Sequence, residues 1–149
     1  MNQHPYLRAY LAGIAVPTCF MLVVFTVFCI ARFVCRVPVP IERAIVFPLA
    51  LIPNAFGAWN MLFLALHRRR YLPLGIHGAI LPFIIAPIGF LIATSLGFLV
   101  ATGHGLVWFQ TITIDYSRLA LIFPAVPIIY YLVWKHLVGF LNEMLGIAG

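Results

Sequence analysis

The chain has 149 residues, of which 64% are hydrophobic and only 8% charged, and its formal net charge is +6. Ordinary soluble domains are about 45–50% apolar and about 25% charged, and small domains bury the smallest share of their surface. Lipid must therefore be the solvent for most of these side chains. The nine Lys and Arg residues stand at the edges of apolar runs, where they meet headgroups, and this layout excludes nucleic acid as a partner.

A bilayer core of about 30 Å takes about 20 apolar residues of helix. Four segments meet that length. Residues 10–32 close on Arg32 and Arg36, and residues 43–66 close on His67 and the triplet Arg68, Arg69 and Arg70. Residues 77–102 fade into "TGHG". Residues 117–138 are short between Arg118 and Lys135, whose long side chains can snorkel outward. The tail 139–149 prolongs the fourth helix or lies in the interface. The first run is longer than the h-region of a cleavable signal and reads as a retained anchor. The expected fold is an all-α integral membrane protein, one polytopic domain over 1–149, built as a bundle of four transmembrane helices with proline kinks. The connections leave no room for a soluble domain.

The arginine triplet acts as a stop at the headgroups, anionic ones included. With Arg8 and Lys135 it sets five cations on one side against Arg32, Arg36, Arg43 and Arg118 on the other. That bias places both termini in the cytoplasm and the protein in a plasma or inner membrane. A count this close to balance also permits insertion in both orientations.

Within the runs, small residues recur in the third segment at every fourth position: Gly89, Ala93, Gly97, Ala101 and Gly105. On a continuous helix they form a slowly turning groove, a glycine zipper. Small residues allow the close backbone approach that holds helices together in lipid. The groove packs within one bundle or between subunits, as a homo-oligomer or in a larger membrane complex. Prolines at 17, 48, 53, 82, 87, 124 and 127 fall in or near the crossings, and each removes a backbone donor. The segments "IVFPLALIPNAFG" and "AILPFIIAPIGFL" share proline spacing, as a decayed repeat or by chance.

Asn54 and Asn60 interrupt the second run. At 100° per residue they stand about 120° apart, with Gly57 between them, so this small polar sector faces protein rather than lipid. It is either a clamp at the Pro53 kink or a solute site.

No catalytic constellation is legible. Glu42, Asp115 and Glu143 are peripheral, and the histidines sit at segment ends rather than a turn inside facing helices. The three cysteines lack metal or disulfide spacing and read as buried thiols. No enzyme activity, cofactor or metal is expected. The favoured function is an oligomeric transporter or channel for a small neutral or lipophilic solute, with Asn54, Gly57 and Asn60 lining its site. The alternative is an accessory subunit that docks a larger membrane complex through the small-residue groove.

Overall fold

The computed structural model describes residues 4–37, 41–67, 72–108 and 112–147, with the side chains of 41–50 outside the description. The triplet Arg68, Arg69 and Arg70 lies outside the described residues. The chain is mostly helical, and three helices are long and apolar enough to cross a membrane: Pro5–Val34, Leu74–Ser95 and Tyr116–Met144. Contacts divide it into two compact units, Met1–Leu74 with Lys135–Gly149, and Gly75–Trp134.

In the first unit, α1 (Pro5–Cys29) starts five residues earlier than expected, with Pro5 in the first turn, where its missing N–H is not needed. A π-helical turn (Ile30–Val34) extends it. Thr18 and Thr26 return their hydroxyls to the carbonyls of Ile14 (2.6 Å) and Leu22 (2.9 Å), which satisfies both without water. The 27-residue α2 (Ile41–His67) packs along α1. Their crossing is made at two glycines. A Cβ on Gly13 would lie 2.6 Å from the Phe56 carbonyl oxygen and 2.8 Å from the Gly57 Cα, so the two backbones touch. Gly57 is in turn covered by the Tyr10 ring and Ile14. The small-residue contact expected on the third helix thus occurs between α1 and α2.

The tail is helical as far as Met144. After a π-helical segment (Val133–Val138), α6 (Gly139–Met144) ends on Gly146 at φ 67°. Gly146 N–H donates to Glu143 O (3.0 Å) and Ile147 N–H to Asn142 O (2.8 Å), the paired bonds of a Schellman stop. Arg8 adds a bond from its guanidinium to Leu145 O (3.2 Å). Ile147 then tucks against Ala9 and Ala12 on α1.

In the second unit, α3 (Leu74–Ser95) stops well short of residue 102. Gly97, at φ 70°, is the reason: its N–H donates to Thr94 O (3.1 Å) and Phe98 N–H to Ala93 O (2.8 Å), the same stop motif. The continuous groove from Gly89 to Gly105 is therefore corrected. Gly97 ends the helix, Ala101 and Gly105 lie on strands, and a Cβ on Gly89 would meet no other atom within 4 Å. The all-α expectation is corrected as well. Strands β1 (Leu99–Ala101), β2 (Gly105–Trp108) and β3 (Ile112–Asp115) form an antiparallel meander in that order.

The expected fourth helix is divided into α4 (Tyr116–Ile122) and α5 (Ala125–Leu132), with Pro124 at the break. Trp134 lies directly over Gly78 and the Tyr131 ring over Gly75.

These contacts rank the glycines. Gly13→Leu forces α1 and α2 apart and should destabilise by about 1–3 kcal/mol, the usual range for overpacking. Gly89→Leu meets open space and should leave the melting temperature in detergent near the parent's. Equal melting of Gly13→Leu and the parent would contradict the crossing.

Candidate functional site

The polar sector of α2 splits. Asn60 is fully buried (0% exposed) and Gly57 is buried, but Asn54 is exposed, which corrects the expectation that both amides face inward. Asn54 accepts a hydrogen bond from the Tyr10 hydroxyl. Asn60 Nδ2 donates to the Ala9 carbonyl oxygen (2.8 Å) and to Asn142 Oδ1 (2.8 Å), while Asn142 Nδ2 donates back to Asn60 Oδ1 (3.2 Å). Asn142, on α6, is itself 1% exposed. Two amides and one backbone carbonyl thus tie α1, α2 and α6 together. Both Asn60 hydrogens and its oxygen are engaged within the protein, so the group has little left to offer a solute.

Asn142 was not among the residues singled out from the sequence. Its signal was an amide inside the apolar "HLVGFLNEMLGI", the same feature that drew attention to Asn54 and Asn60.

The second unit holds an open cleft. A cleft of about 930 Å³ runs between α3 and the α4–α5 break, and every residue lining it is apolar. Pro82 and Pro87 line it on the α3 side. Facing them, the chain interrupts its helix at Pro124, where a ring cannot follow the preceding turn. Ala86 and Ala120 are the small side chains on its walls, and the Phe83 and Phe123 rings, both lining residues, meet edge to face at 6.0 Å. Leu106 of β2 contributes from the meander. Ligand pockets generally fall between about 300 and 1,000 Å³, so the cleft has the size of a site. With no hydrogen-bonding side chain on its walls it selects for apolar matter alone.

His77 is also buried in this unit (2% exposed), edge-on to the Trp134 ring at 5.9 Å. Among the described residues no three His, Cys, Asp or Glu side chains gather as a metal site would require. Asp115 lies 3.5 Å from Arg118 in an exposed pair at the start of α4.

No protein-family model matches the chain, and neither the characterised proteins nor the solved structures compared with it include a significant match.

The amide cluster makes a quantitative prediction. Asn60→Leu should destabilise by about 1–3 kcal/mol, because it leaves the buried Asn142 amide unsatisfied and removes the added bond to the Ala9 carbonyl. Asn142→Leu should cost less, since Asn60 keeps its bond to Ala9. The double variant should fall short of the sum of the singles by at least about 0.5 kcal/mol, the coupling of groups in contact. Additive effects in a reversible unfolding titration in detergent would contradict the reciprocal pair.

Proposed function

We propose that the protein crosses the membrane four times, with both termini cytoplasmic, and holds a lipophilic molecule in the cleft between α3 and the α4–α5 break. The single observation that carries this reading is the cleft itself, about 930 Å³ with wholly apolar walls. In water such a space would collapse or attract any greasy surface; in a bilayer it competes with lipid for chains and rings of matching shape. The fourth crossing is α2, whose 27 residues reach about 40 Å at 1.5 Å per residue, enough for a core of about 30 Å. The arginine triplet that follows it supports the cytoplasmic assignment.

The transport reading of the sequence narrows accordingly. A neutral polar solute guided by Asn54, Gly57 and Asn60 loses its support, because Asn60 is bonded to Asn142 and Ala9. A lipophilic cargo keeps its support. The accessory-subunit reading is favoured by one feature: Gly89 opens on empty space, as a helix does where another chain can approach.

A diazirine-bearing fatty alcohol tests the proposal. In nanodiscs it should cross-link saturably to residues 82–91 and 119–126, with competition by excess unlabelled alcohol. Ala86→Trp fills the cleft and should abolish the saturable component while leaving the melting temperature within a few degrees of the parent's. Unsaturable labelling spread over all lipid-facing helices would defeat the cleft reading. Co-purification of a stoichiometric membrane subunit lost on Gly89→Leu would favour the accessory role.

A further inference from the structure

The cleft has a direction and a length. Pro82 and Phe83 line its α3 wall at one end and Leu91 at the other, and Leu106 of β2 puts the meander beside the Leu91 end. The helix rises about 14 Å from Pro82 to Leu91, at about 1.5 Å per residue. That is close to half of a hydrocarbon core of about 30 Å. The cleft therefore has the depth of one leaflet, the one that α3 reaches at Ser95. In the topology proposed above this is the outer leaflet.

The mouth of the cleft carries one charge of each sign. Arg118 lies one turn before the lining residue Ile122 on α4, about 40° from it around the helix. It also directly precedes Leu119, a second lining residue. Its Nε stands 3.5 Å from Asp115 Oδ2, and the two side chains are 74% and 50% exposed. An exposed pair at this distance is held weakly and can be exchanged for other ions. Between the two, Tyr116 is exposed and donates its hydroxyl to Thr102 O (2.9 Å). An amphipathic ring of this kind collects at the headgroup level, and the Arg118 stem can snorkel to the same depth.

We propose that the cleft takes one acyl chain of a zwitterionic phospholipid, whose phosphate lies against Arg118 and whose ammonium lies against Asp115. The inference rests on the lipophilic reading of the cleft and on its membrane placement, and it adds the class of molecule. Apolar walls accept the chain and are indifferent to the head, so the head is chosen at the mouth. A guanidinium takes two phosphate oxygens in parallel hydrogen bonds, and a carboxylate accepts from a primary ammonium. A phosphate without an ammonium meets the Asp115 carboxylate as well as the guanidinium. The pair is neutral as a whole, so a purely anionic lipid gains little there. A lipid with no charge leaves the pair as it is and gains the chain contacts alone.

Native mass spectrometry of the full chain in detergent tests the class by titration with dioleoyl-phosphatidylethanolamine, dioleoyl-phosphatidylglycerol and dioleoylglycerol. The first carries phosphate and ammonium, the second phosphate alone, and the third neither. Phosphatidylethanolamine should bind several-fold more tightly than the other two. Arg118→Gln should lower it to the level of dioleoylglycerol. Asp115→Asn keeps a side chain suited to the N-cap of α4 and should raise phosphatidylglycerol to the level of phosphatidylethanolamine. Ala86→Trp should remove the saturable binding of all three, and Ala120→Phe fills the same space from α4 should the first variant fail to fold. Equal saturable binding of the three, unchanged by Arg118→Gln, would overturn the headgroup proposal and leave the cleft reading standing. A parent that prefers phosphatidylglycerol would also overturn it, in favour of an anionic lipid. Binding that survives a filled cleft, or no saturable binding of any probe, would defeat the cleft reading itself.

Discussion

The first unit depends on two amides that hold each other and a backbone carbonyl where no water reaches. A buried amide without partners loses the solvation it had outside, and in an apolar interior that loss is large. Asn60 and Asn142 avoid it by bonding each other and Ala9. A side chain reaches the backbone of a neighbouring helix only if the two helices are very close. Gly13, one turn beyond Ala9, and Gly57, one turn before Asn60, supply that closeness. The Schellman stop at Gly146 completes the arrangement by turning Ile147 back onto Ala9 and Ala12. Glycine contact, amide pair and helix stop are thus consequences of one packing solution.

The second unit has the opposite character. Its open space has apolar walls throughout, produced by Pro82 and Pro87 on one helix and the interruption at Pro124 on the other. The buried amides bond each other in the first unit, and the apolar cleft lies in the second. This separation is what turns the functional reading from a polar pathway to a lipophilic site, with the meander at its end.

The helices were legible because lipid imposes length and composition together, and Leu74–Ser95 or Pro5–Val34 satisfies both. Their ends were less so. Gly97 fits a four-residue small-residue period and a helix C′ position equally well, and only the following Phe98, bonded back to Ala93, decides for the stop. Leu99–Ala101 continues the apolar run without a break, so composition gave no hint of a strand. Asn60 was recognisable as an inward amide, but its partner is 82 residues away and pairing at that range leaves no local mark. Asn54, equally polar, lies outside because its position on α2 turns it away from the buried contact. The cleft was not legible, since concavity arises from where three proline sites meet in space.

The central claim is that the polar centre of the first unit is a closed, water-free clamp. Solid-state NMR in lipid bilayers measures it without altering a residue. The Asn60 and Asn142 side-chain amides should show a mutual through-space correlation and no magnetisation transfer from water. Rapid water transfer to Asn60, with no correlation to Asn142, would contradict the account and return the asparagines to a solvated pathway.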